Sequence, residues 1–191
     1  MKGKMFFLDT ERLLLRPLGQ GDFDAVHSYA AVPENVRYMT FGPNTPEDTR
    51  SFLSDCGRGW DMKPLRKYDL ALTLRPGGEL VGAVGLYLDP GLREGMFGWI
   101  LHRGHWGRGY MTEAASCLMR YGFEELRLHR IYAKCFAENH ASYRVMERLG
   151  MRREGHFVKN MFLRNTDPET WCDGYEYAIL SSEWKEAGNA R

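Results

Sequence analysis

"HWGRGYMTEAASCLMRYGFEE", residues 105–125, decides how this chain must be read. Gly107 and Gly109 flank Arg108, and an apolar stripe begins at once. Met111, Ala115, Leu118, Gly122 and Leu126 recur at helical spacing, with Met119 and Phe123 beside them. Glycines so placed allow positive φ and let the backbone come close to a ligand, because no side chain blocks the approach. Successive N–H groups at the start of a helix make an anion site, and a phosphate or pyrophosphate is its natural ligand. Arg103 and Arg108, with His102 and His105 when protonated, would add charge around it. A bare G-x-G also occurs in plain strand-to-helix turns, so its neighbours must decide.

The stretch just before it, "GMFGWILH" (95–102), reads as the third strand of a meander. The first two are "YDLALTLR" and "LVGAVGLYL", joined by the turn "PGGE". After the helix, expected over 111–126, comes a strand "RIYAKCFA" (130–137). A helix "HASYRVMERL" (140–149) follows, with Asn139 as a good N-cap and Gly150 as a typical C′ residue. Towards the N-terminus, "RLLLRPL" (12–18) reads as a strand ended by Pro17. Helices are expected over 22–32, with Asp22 as its cap, and over 46–56, opened by Thr45 and Pro46. The last strands are "EGHFVKNMFL" (154–163) and "GYEYAILS" (174–181), joined by the polar loop "RNTDPETW". The pattern predicts a single domain over residues 1–191 of the α/β class (mixed α+β). About seven mostly antiparallel strands and about four flanking helices surround one β-α-β crossover.

The chain has 191 residues, 43% apolar and 13% aromatic, enough for a sizeable core. Lys and Arg number 26 against 25 Asp and Glu, so no strong field favours nucleic acid or an anionic membrane. Apolar runs such as "YAIL" are too short to span a bilayer, and "MKGKMFFLDT" lacks a signal-peptide core. Cys56, Cys117, Cys135 and Cys172 show neither zinc spacing nor a disulfide framework. Buried free thiols, no metal and a reduced, cytoplasmic setting are the expectation.

Among phosphate ligands, a Walker loop would need G-K-[ST] after four spacers, and none is present. A dinucleotide site would need a third glycine where Thr112 stands, and an acid at the end of the next strand, where Glu138 lies too far on. The paired blocks "HWGRGYMTEA" and "ENHASYRVMERLGM" instead resemble the GNAT superfamily of N-acetyltransferases. Within it they are most similar to the ribosomal-protein alanine acetyltransferases of the RimJ/RimL type. "TERLLLRPL", "GELVGAVGL" and "DGYEYAILSSEW" carry the likeness over nearly the whole chain. One departure is Gly104, which stands where the superfamily's glycine motif usually has Gln or Arg; Arg103 is just before it.

The resemblance implies acetyl-CoA as donor, and a peptide N-terminus or small amine as acceptor. The pyrophosphate would lie on the N–H groups from Gly107 to Met111, within the block Trp106, Gly107, Arg108, Gly109, Tyr110, Met111 and Thr112. His102 and Arg103 would lie beside it, and Arg148 would reach a phosphate. The pantetheine arm would pair with the strand "GWILH", where N–H groups near Ile100 and Leu101 would polarise the thioester carbonyl. Asn139 would bond the arm, and Ser142 or Tyr143 would lie near the sulfur. For the base, many relatives carry a Glu where Met96 stands; Glu94, His102, His105 and bulk water remain the alternatives. Glu113 is expected to complement the helix dipole. Trp106, Phe157, Phe162, Trp171 and Tyr175 are expected in the core, or, near "RNTDPETW", lining an acceptor cleft. A non-catalytic acyl-CoA-binding module, another acyl group such as succinyl, and a homodimer through an exposed strand edge are also compatible with the sequence.

Overall fold

A computed structural model of the chain describes residues 6–164 and 168–184. The N-terminal residues 1–5, read above for a signal peptide, and residues 165–167 of the loop "RNTDPETW" lie outside the described residues. Eight strands form one sheet: β1 (Leu8–Asp9), β2 (Leu13–Pro17), β3 (Lys67–Leu74), β4 (Leu80–Leu88), β5 (Glu94–Leu101), β6 (Arg130–Phe136), β7 (Arg152–Leu163) and β8 (Thr170–Leu180). Among the described residues the α-helices are α1 (Phe23–Ala30), α2 (Pro33–Val36), α3 (Pro46–Asp61), α4 (Tyr110–Glu124) and α5 (His140–Arg148), and residues 181–184 are helical as well. The strands lie in the order β1-β2-β3-β4-β5-β6-β8-β7, and only β5–β6 are parallel.

The sheet separates two cores. On one face, Met111, Ala115, Leu118, Met119 and Phe123 of α4 and Met146 of α5 pack against Leu70, Leu72, Val84 and Leu86. On the other, Val26 and Tyr29 of α1, Val36 of α2 and Leu53 of α3 pack against Ala71, Ala83 and Ile100. Period-two alternation in β3–β5 sends successive residues to opposite cores.

Local chemistry sets the helix ends. Thr45 accepts a hydrogen bond from the Asp48 N–H while the Asp48 carboxylate accepts one from the Thr45 N–H, closing a capping box at α3. Gly150, at φ 79°, completes a Schellman motif in which its own N–H reaches the Glu147 carbonyl and the Met151 N–H reaches Met146. Asp22 differs from expectation. Its carboxylate does not cap α1 but turns back to accept from Arg16 and from the Gly19 N–H. Burial would raise its pKa, yet the Arg16 partner holds it below the ordinary range.

Two short elements, β1 and α2, were not expected. Helix α3 runs to Asp61, five residues past the predicted end, because Trp60 packs against Phe6 (5.1 Å) and Tyr68 (5.6 Å). Strand β8 starts at Thr170 because β7 pairs with it up to Leu163↔Thr170, drawing "TW" out of the loop.

Candidate active site

The one parallel pairing decides where a site can form. β5 and β6 are in register only from Glu94↔Arg130 to Phe97↔Ala133. Beyond that point β6 continues with β8, while Gly98–Leu101 pairs only with β4. The sheet therefore splays open along the second half of β5. His102 donates its N–H to the Val81 carbonyl, so by antiparallel alternation Ile100 and Gly98 also turn their backbone groups to β4. Trp99 and Leu101 turn theirs into the opening. This corrects the pair expected to polarise a carbonyl: Ile100 spends its N–H in the ladder and offers the site only its side chain. The Leu101 carbonyl is already taken by the Trp106 indole N–H (2.8 Å) and the Asn35 amide (3.2 Å).

The opening leads to the glycine turn. Gly107 and Gly109 have φ of 76° and 80°, and Gly109 is the N-cap residue of α4. A methyl group at Gly107 would meet nothing within 4 Å, so the space above the turn is clear. Arg12, just before β2, clamps the turn from below. Its guanidinium pairs with Glu113 (2.6 Å), donates to the Arg108 carbonyl (3.0 Å) and lies 4.7 Å from the Tyr110 ring centre. Glu113 therefore does more than oppose a dipole; it also accepts from the Thr10 hydroxyl (2.6 Å) and the Arg12 N–H (2.9 Å). Burial pushes the Glu113 carboxyl up, but these bonds outweigh it and hold its pKa below the ordinary range.

A groove runs on from Gly107 and Gly109 between α4 and α5, lined by Thr112, Ser116, Arg120 and Arg148. Thr112, Ser116 and Arg120 recur every four residues, a polar stripe beside the apolar one that adds Arg120 as a candidate sequence reading missed. Three of the other basic candidates face elsewhere. Arg103 approaches Glu34 (3.8 Å), His105 approaches Glu79 (3.4 Å), and the His102 ring accepts from the Gly104 N–H (3.1 Å). Met111 contributes its side chain to the core.

At the other end of the opening lies a cavity of about 890 Å³, lined by Trp99, Ile100, Asn139 and Ser142 and closed on the far side by α1 and α3. Asn139 caps α5, accepting from the Ser142 N–H (3.1 Å). Ser142 lies beside Cys135, whose thiol burial pushes up to about 11 against the lowering effect of Ser142. Tyr143 is turned away into a stack with Tyr177 (6.5 Å, 6° between planes) and Tyr175. Glu94 stands at the closed end of β5, bound to Arg130 (3.1 Å), which also holds Glu154 and Glu176. The structure does not bring Glu94 to the other candidates. Trp106, Phe157 and Trp171 are exposed rather than core, and Trp171 lies with Phe162 on the β7–β8 hairpin.

The cavity floor holds a group that sequence reading passed over. Asp69 of β3 is buried and accepts from the Tyr87 hydroxyl (2.6 Å) of β4. Its only early signal was a carboxylate in the apolar half of an alternating strand. Burial raises its pKa, opposed by Tyr87, Lys67 and Cys56. Among the described residues no cluster of His, Cys, Asp and Glu could hold a metal, and no helix is long and apolar enough to cross a membrane.

The sequence profile described as acetyltransferase (GNAT) domain matches residues 12–152. An uncharacterized N-acetyltransferase of Bacillus subtilis, YnaD, is 36% identical over 93% of this chain and 98% of its own. The spermidine N(1)-acetyltransferase of Escherichia coli is 27% identical over 78% of this chain and 77% of its own. The crystal structure of a GNAT-family acetyltransferase from Bacillus anthracis shares 37% identity, covers 93% of this chain and 100% of that one, and superposes with a TM-score of 0.81. With the splayed parallel pair and the glycine turn in place, and the profile matched across both, the chain belongs to the GNAT acetyltransferase family.

Proposed function

We propose that the protein moves an acetyl group from acetyl-CoA to a primary amine, on a peptide N-terminus or a small molecule, and belongs with the RimJ/RimL type. The observation that carries this reading is the order of the parts: the strands splay at Gly98–Leu101 beside the cavity, and the same chain runs on into the glycine turn that opens the groove between α4 and α5. The N–H groups from Gly107 to Met111 hold the pyrophosphate, flanked by Arg120 and Arg148. Trp99 offers its backbone N–H and carbonyl to the pantetheine arm as a missing strand would. The thioester supplies an electrophilic acetyl carbon. In the transfer a C–N bond forms, the C–S bond breaks, and the amine gives up a proton. Ser142, where the opening meets the cavity, donates to the departing sulfur.

The roomy cavity beyond the strand opening supports turnover over a silent acyl-CoA binder, which would need no second chamber. The test is release of free CoA from acetyl-CoA with a panel of primary amines and short peptides. Acceptor-dependent release supports the reading; CoA binding with no release for any amine would leave a binding module.

A further inference from the structure

Asp69 faces the α1–α3 side of the sheet in a row with two glycines: Asp69 of β3 is opposite Gly85 of β4, which is opposite Gly98 of β5. The glycines make room for the Tyr87 ring to lie flat along the sheet. A side chain at Gly85 would collide with the Tyr87 hydroxyl, and one at Gly98 would come within 3.3 Å of its ring. The ring thus bridges from Asp69 to the point where β5 leaves β6, and all four residues line the cavity.

The other carboxylates of that cavity are engaged. Asp48 closes the α3 capping box, and Asp55 pairs with Arg58. Lys134 pairs with Glu176 at 3.1 Å. Among the described residues Asp69 stands in no ion pair, although it is 8% exposed. Lys67 acts on it only through space, and a buried carboxylate without a paired cation is costly unless a ligand supplies one. A second observation points the same way. The Tyr29 hydroxyl of α1, in a side chain 2% exposed, lines the same cavity and has no hydrogen-bond partner among the described residues. A buried hydroxyl left so has a reason to be sought. Nearby Cys56 is no nucleophile, because burial and Asp69 hold its thiol protonated.

We infer that Asp69, steadied by Tyr87, is the carboxylate that receives the acceptor's ammonium group, with Tyr29 as its neighbouring polar contact. This rests on the acetyltransferase reading above and gives it a specificity residue. On the α1–α3 side the aromatic lining of the cavity comes from Tyr38, Phe41 and Phe52, which suits a primary ammonium on an apolar or aromatic body. Asp69 would also take the ammonium proton before attack. That proton passes from nitrogen to carboxylate oxygen, and no other bond changes. A carboxyl whose pKa burial has raised is suited to accept it.

The probes are phenethylamine and its neutral counterpart phenethyl alcohol, titrated calorimetrically into CoA-loaded protein. The wild type should bind the amine at least about tenfold more tightly than the alcohol, as a charged hydrogen bond implies. Asp69→Asn should reduce that preference to about twofold or less while CoA affinity stays unchanged. Wild-type protein without the preference, or Asp69→Asn that keeps it, overturns the assignment. If wild-type protein fails to bind CoA, the donor reading fails separately, and the amine titration on free protein still decides this one. Should Asp69→Asn not fold, acidification decides. The groups acting on Asp69 are Tyr87 from β4, Cys56 from α3 and Lys67 of its own strand, with Tyr29 of α1 lining the same cavity. Protonating Asp69 should abolish the preference, and Tyr87→Phe, which removes a bond to the carboxylate, should move that loss to higher pH. A preference that survives acidification, or whose loss does not move in Tyr87→Phe, overturns it too.

Discussion

Arg12 and Glu113 lie 101 residues apart and meet at 2.6 Å, with the Glu113 carboxylate also holding the Thr10 hydroxyl and the Arg12 N–H. The pair joins the start of β2 to the first turn of α4. Through the Arg12 bond to the Arg108 carbonyl, it also holds the glycine turn in shape.

Glu113→Gln should lower stability by about 1–2 kcal/mol near neutral pH, since the amide leaves part of this set unsatisfied. The pH dependence has a definite sign. Because the folded pKa is depressed, the stabilisation is complete above the unfolded value of about 4.3 and fades as pH falls through the folded one. Melting curves of both proteins from neutral to strongly acidic pH should therefore converge at the acid end. A constant gap would show that the carboxylate's charge is irrelevant.

Gly109→Val should abolish CoA binding in a protein that still folds. A Cβ at Gly109 would lie 3.5 Å from Arg12, an ordinary contact, so the folded core is not at issue. The positive φ is the difficulty, at roughly 1–3 kcal/mol for a non-glycine residue. Circular dichroism checks the fold, and calorimetry with CoA reads the binding. Undiminished affinity would move the pyrophosphate elsewhere.

Arg120→Ala and Arg148→Ala should each weaken CoA about two- to fivefold, as exposed ion pairs do, with the loss shrinking at high salt. Histidine or arginine changes at His105 and Arg103 should have smaller effects, because those side chains face Glu79 and Glu34. Titrations at two salt concentrations would compare the four sites directly.

Ser142→Ala should reduce kcat at saturating acetyl-CoA more than Tyr143→Phe does. Ser142 lines the cavity, whereas Tyr143 is stacked on Tyr177 outside it. The factor should lie at or below the low end of about 10²–10⁴ typical of general acids, since a thiol of pKa near 8.5 already leaves well. A larger loss in Tyr143→Phe would reverse the assignment.

Much of this molecule is written locally. The meander of β3–β5 shows in alternation and in the turn at Gly77 and Gly78. The ends of α5 show in Asn139 and Gly150, and the glycine turn before α4 follows from positive φ. These depend on contacts within a few residues, which a linear reading sees. Short elements such as α2 carry too little periodic signal to be read that way, and the extra turn of α3 exists only because Trp60 meets Phe6 and Tyr68.

The sequence by itself determined the order of the longer elements, the glycine turn and the identity of the helix that follows it, because each rests on backbone geometry and near neighbours. Only the tertiary structure decided which backbone groups of β5 face the opening, that Glu94 is bound to Arg130 away from it, and that Arg12 serves Glu113. It also placed Asp69 and Tyr87 on the cavity floor. Those facts depend on strand register and on side chains brought together from distant parts of the chain. A one-residue change of register would send every strand residue to the opposite face.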